Sequence, residues 1–131
     1  MRVTMTPVII FMMFVLFAMM ASAHHVQCAG KALAAPTGQV KQAAKHIKDM
    51  GSIAWYLDPN SCEVIACKGR AQVRWCNEDT RNGRSIMAEH IAEGAYVLAK
   101  DCETRYNGKS VAGGYLTHDD NWSVIVQDAQ C

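Results

Sequence analysis

The chain has 131 residues, with 13 Lys and Arg against 12 Asp and Glu and a formal net charge of +1. So even a balance exerts no global pull toward nucleic acid or an anionic membrane, and no nucleic-acid partner is expected. The length holds one domain with a thin core.

Arg2 gives a short positive start, and residues 8–20 follow as thirteen apolar residues without a charge. Ala21-Ser22-Ala23 then offers small residues at the positions a signal peptidase reads. The run falls short of the ~20 apolar residues a membrane-spanning helix needs. Residues 1–23 are therefore expected to be a cleaved secretory signal, and residues 24–131 a single secreted domain. Arg2 leaves with the signal, so the mature chain carries twelve basic and twelve acidic side chains.

All six cysteines, Cys28, Cys62, Cys67, Cys76, Cys102 and Cys131, follow that point. An even count in a small exported chain reads as a disulfide framework. No Cys-x-x-Cys pair is present to suggest a zinc site.

Residues 24–36 look like an irregular arm holding Cys28. After Pro36, Thr37 is expected to cap a helix in which Val40, Ala43, Ala44, Ile47 and Met50 recur at helical spacing, with Gly51 as the stop. Residues 52–57 read as a strand closed by the turn residues Asp58-Pro59-Asn60. Residues 62–67 and 71–76 form two more strands around Lys68-Gly69-Arg70. Residues 77–84 are a polar loop with an Asn82-Gly83 turn. Ser85 is placed to cap a second helix, whose apolar stripe is Met87, Ile91, Gly94, Ala95 and Leu98 and which ends near Lys100. Asn107-Gly108 marks another tight turn. Residues 111–116 and 122–127 are two last strands, and 117–121 the loop between them. The order predicts an α+β fold: a small α/β sandwich with an antiparallel sheet of about five strands packed by two helices.

If Gly69-Arg70 is the turn, Cys62 lies almost opposite Cys76, and a cross-strand bridge between them is feasible. A one-residue slip would instead favour Cys67–Cys76.

Ile65-Ala66-Cys67, a short spacer, Trp75-Cys76, a Gly-containing loop and a helix ending close to Cys102 make a recognisable series. Gly113-Gly114-Tyr115-Leu116 and a terminal Val-Ile-Val strand before Cys131 continue it. The series resembles the smut-fungus killer-toxin-like family of small secreted α/β sandwich proteins and, more loosely, the fungal necrosis-inducing effector family. That family's His-Gly-Cys element after the second helix is replaced here by Lys100-Asp101-Cys102-Glu103. The resemblance implies fold, secretion and a fungal effector, virulence or toxin role exerted on a host or competitor protein or membrane component, as a monomer. It implies no catalytic site. Elimination, the anchoring of both chain ends and this resemblance together suggest Cys67–Cys131 and Cys28–Cys102.

Four groups of residues could carry chemistry. Cleavage after Ala23 would free the α-amine of His24, which with its own imidazole and a nitrogen of His25, His46, His90 or His118 could chelate copper. A flexible polar start is the plainer reading. Glu89-His90, with Glu93 one turn on, could do acid–base work, but sequence neighbours point to different helix faces, and a half-buried structural histidine is expected. His118-Asp119-Asp120 could bind a cation or act as acid and base, although a polar hairpin loop needs no such explanation. No Gly-x-Ser-x-Gly, His-Glu-x-x-His or phosphate-cradling glycine loop occurs, and no cofactor is expected. Lys68, Arg70, Arg74, Arg81 and Arg84, with Trp75 interleaved, form a candidate binding strip for an acidic partner. Trp55, Trp75 and Trp122 otherwise read as core or cross-strand residues. The expectation is a binding protein, with a small secreted hydrolase or ribonuclease and an N-terminal-His copper binder as alternatives.

Overall fold

The computed structural model describes residues 24–131, and the expected signal segment, residues 1–23, lies outside the described residues. The chain is a small α+β domain held by three disulfides. Its strands are β1 (His24–Cys28), β2 (Ala35–Pro36), β3 (Ala54–Leu57), β4 (Ser61–Lys68), β5 (Ala71–Asn77), β6 (Arg84–Met87), β7 (Thr104–Tyr106), β8 (Lys109–Ala112), β9 (Gly114–His118) and β10 (Trp122–Asp128). Its helices are α1 (Thr37–Lys48) and α2 (Ala88–Asp101). The main sheet is antiparallel, in the order β1-β9-β10-β5-β4, and two smaller sheets pair β2-β8-β7 and β3-β6.

The two helices pack side by side on one face of the main sheet. Each is amphipathic: Val40, Ala43, Ala44 and Ile47 of α1 and Ile91, Ala95 and Leu98 of α2 are buried at three- and four-residue spacing. They meet alternate residues of the sheet, Val73 and Trp75 of β5, Leu116 of β9, and Val124 and Val126 of β10. Fully burying one such side chain contributes ~1.5–3 kcal/mol, so this layer is the main apolar source of stability. Gly94 lets α2 approach β10 closely, since a Cβ there would stand 2.8 Å from Val124 Cγ2.

The β4–β5 hairpin turns at Gly69-Arg70, where Gly69 takes φ +59° and Lys68 pairs with Ala71. A second tight turn falls at Asn107-Gly108, both at positive φ, as I′ geometry requires.

Several local expectations are corrected. The N-terminal arm is not irregular: His24–Cys28 forms an edge strand on β9. Thr37 does not cap α1; Pro36 stands at the cap, and Thr37 Oγ1 bonds Ser110 Oγ at 2.8 Å. Ser85 caps nothing because residues 84–87 pair with β3; α2 starts after Met87, and the Ala88 N–H donates to Ile53 O at 2.8 Å. Residues 77–84 bend at Thr80-Arg81, not at Asn82-Gly83. The strand expected at 111–116 breaks at Gly113, where the chain leaves the three-stranded sheet for the main one. Gly113 is wedged there, with the Ala34 Cα 3.0 Å and the Val126 carbonyl 3.1 Å from where a Cβ would sit.

Candidate functional site

The helices cover one face of the main sheet. Residues of the opposite parity face the other way, and the pairing register aligns them. Gln27, Tyr115, Ile125, Arg74 and Val64 form one row, with a residue from every strand. Val64 is 46% exposed, and Tyr115, Ile125 and Arg74 are half-buried. The Arg74 stem lies between two aliphatic side chains, and its Nε is buried without a hydrogen-bond partner. The Tyr115 hydroxyl donates to Glu78 Oε1, and burial followed by that bond pushes its pKa up. At the end of the row the 29–33 segment and the sheet enclose an open cleft of about 440 Å³, lined by Gln27, Leu33, Tyr115, Ile125 and Gln127.

The candidate basic strip does not assemble. Lys68 and Arg70 stand at the hairpin turn, where Arg70 Nε and Nη2 bind both oxygens of Asp128, at 2.8 and 2.7 Å. Arg74 is mid-strand. Arg81 is in the 78–83 loop at the far end of β5, and Arg84, on β6, reaches Asp120 at 3.4 Å. A seven-residue strand spans roughly 23 Å, so the two ends cannot meet one small acidic group. Trp75 is a correction: it is fully buried beneath the helices, because strand alternation puts it on the face opposite Arg74. Trp122 is also buried and Trp55 partly so.

Three bridges tie the frame: Cys28–Cys102, Cys62–Cys76 and Cys67–Cys131. Among the described residues no cysteine is free.

A second group of residues gathers at the rim of the helix-covered face. His24 pairs with His118, and His118 with Trp122, in register across β1, β9 and β10. The His118 ring stacks on Trp122 at 3.8 Å with planes 8° apart. Burial pushes the His118 pKa below its ordinary value of 6.5, so the ring is neutral at pH 7. Its Nε2 is buried without a hydrogen-bond partner among the described residues. The His24 ring centre lies 6.1 Å from that of His118. With His90, Glu93, Gly94 and Val97 of α2 they line a cavity of about 140 Å³.

The remaining sequence candidates disperse. His25 points to the opposite sheet face, 3.8 Å from Asp119, and His46 sits on the exposed side of α1. His118 belongs to a strand, not a loop, and Asp120 turns to Arg84. His90 is exposed, not half-buried, with Nδ1 3.6 Å from Glu93; Glu89 lines a different shallow cleft beside Lys48 and Tyr96. Tyr115 and Ile125 escaped the sequence reading; the polar Gln127, which shares the strand parity of Ile125, carried the signal that Ile125 faces away from Val124 and Val126.

No protein-family model matches the chain, nor does a curated protein or a solved structure. Three disulfides are typical of extracellular proteins, and among the described residues no helix is long and apolar enough to cross a membrane.

Proposed function

We propose that this protein is a secreted binding protein of the effector or toxin type that meets a target protein through the helix-free face of its main sheet. The observation that carries the reading is the row Tyr115–Ile125–Arg74–Val64 with the cleft beside it. Tyr and Arg, the pair this row holds on a rigid sheet, are among the residues enriched in interface hot spots. Disulfides hold that face in one shape, which lowers the entropy lost on association. The spacing likeness to killer-toxin-like and necrosis-inducing secreted proteins supports the same role.

The test compares capture from host or competitor extracts by the wild-type mature protein, an Ile125→Glu variant and a Lys41→Glu variant on the exposed side of α1. All three should show no free thiol. A partner held by the wild type and by Lys41→Glu but lost with Ile125→Glu supports the reading. A partner held equally by all three refutes the assignment of this face.

A further inference from the structure

We infer that removal of the residues before His24 completes a copper(II) site formed by the His24 α-amine, the His24 Nδ1 and His118 Nε2. This does not depend on the binding face proposed above, and it rests on the expected cleavage after Ala23.

Among the described residues, no three His, Cys, Asp or Glu side chains converge to hold a metal ion. The third ligand of the inferred site is a main-chain group. In the uncleaved chain the His24 nitrogen is a main-chain amide, a poor donor unless it loses its proton. In a chain that begins at His24 it is an amine, and it closes a six-membered chelate with the Nδ1 of the same residue.

The register of β1 on β9 then supplies the partner. His24 stands directly across from His118, and the ring centres are 6.1 Å apart with planes tilted by 57°. Two imidazoles bound trans to one ion through metal–nitrogen bonds of about 2.0 Å place their centres about 6 Å apart. His118 is held ready by its stack on Trp122. Its buried Nε2 has no hydrogen-bond partner among the described residues, and a buried polar atom left so calls for a missing ligand, water or ion. The cavity of about 140 Å³ beside the pair leaves room for the ion and a small exogenous ligand, with His90 and Glu93 on the far wall. An all-nitrogen donor set selects copper(II) among the divalent first-row metals by the Irving–Williams order.

A rival is a terminal-peptide chelate using the imidazole of His25. That side chain faces the other side of the sheet, so the two modes separate by mutation. The experiment expresses the full chain, isolates the secreted product, sequences its N-terminus and titrates it with copper(II) chloride by calorimetry and electron paramagnetic resonance. The expected result is a start at His24, one copper per molecule and a tetragonal three-nitrogen signal. A chain carrying four alanines before His24, too long an extension for either His24 or His25 to close a terminal-peptide chelate, should lose affinity by roughly a hundredfold or more, and so should His118→Ala, whereas His25→Ala should retain it. The alanine extension alters only the exposed end of an edge strand, so it decides the question even if His118→Ala fails to fold. A start elsewhere than His24 overturns the inference. So does undiminished binding by the extended chain or by a folded His118→Ala variant, or binding that vanishes with His25→Ala.

Discussion

Cys62 stands directly across from Cys76, with Cα atoms 4.0 Å apart, because Ile65 bulges out of the ladder. The turn at Gly69-Arg70 pairs Lys68 with Ala71, Cys67 with Gln72 and Ala66 with Val73. Continued unbroken, that register would set Glu63 against Cys76, one residue out of line. The shift between Val64 and Ala66 absorbs one residue, and Ile65 buries its side chain in the core as it does so. The bulge thus makes the bridge possible and adds core packing at the same step.

The bridges should differ in worth. Cys62–Cys76 closes a separation of 14 residues, and Cys67–Cys131 one of 64. Chain-entropy scaling gives about 3 kcal/mol for the first and about 4 kcal/mol for the second. Urea denaturation of the two double-serine variants should show Cys67→Ser/Cys131→Ser as the less stable. The reverse order would mean that unfolded-chain entropy is not the governing effect.

Gly94→Ala should destabilise, against the ordinary helix preference for alanine of about 1 kcal/mol. The added methyl would lie 2.8 Å from Val124 Cγ2, and Val124 is fully buried and stiff at χ1. The net loss should be about 1–2 kcal/mol. In a Val124→Ala background the same change should become neutral or favourable. A loss of equal size in both backgrounds would place its cause outside this contact.

Asn77 is 1% exposed and ties three segments together. Its amide Nδ2 is shared among the carbonyls of Leu57, Asp58 and Asn82, at 3.3, 3.2 and 2.9 Å, and its Oδ1 accepts from the Asp79 N–H at 3.1 Å. Asn77→Ala should cost about 2–3 kcal/mol. It should also release the 78–83 loop, so that trypsin cuts at Arg81 under conditions where the wild type is resistant. Wild-type resistance in the variant would show that Asp79 alone orders the loop.

Stability should fall in acid below about pH 4. The Arg70 guanidinium, through its hydrogen bonds and charge, holds Asp128 below its ordinary 3.8, and the backbone N–H groups of Arg81 and Asn82 do the same for Asp79. The unfolded chain therefore takes up these protons first as pH falls. The stabilisation is complete above 3.8 and is lost as pH drops through the lower folded values. Melting temperatures measured from pH 5 to 2 should decline more steeply for the wild type than for Asp128→Asn. Parallel curves would exclude the Arg70–Asp128 pair as a source of the decline.

What could be read from the sequence is what short segments determine alone. The stripe of Val40, Ala43, Ala44 and Ile47, the Gly69-Arg70 hairpin and the Asn107-Gly108 turn each follow from residue spacing or turn chemistry within a few positions. β1 and β6 could not be read so. His24–Cys28 has no strand signature of its own and is extended because β9, some ninety residues on, pairs with it. Residues 84–87 are drawn into a strand by β3, which overrides the capping tendency of Ser85. The juxtaposition of His24 with His118 depends on that same distant pairing. The separation of Arg74 from Trp75 is different: strand alternation required it, and the run of basic residues obscured it.

Each of the three disulfides has one foot on an outermost strand of the main sheet, Cys28 on β1 and Cys62 and Cys67 on β4. Unpaired outer strands are where sheets recruit one another into swapped dimers and fibrils, and covalent staples hold these two in place. Oxidation state therefore sets more than stability. In a reducing compartment both margins of the sheet would lose their covalent staples at once, leaving the β1–β9 and β4–β5 backbone ladders alone to keep the outer strands from pairing with other copies.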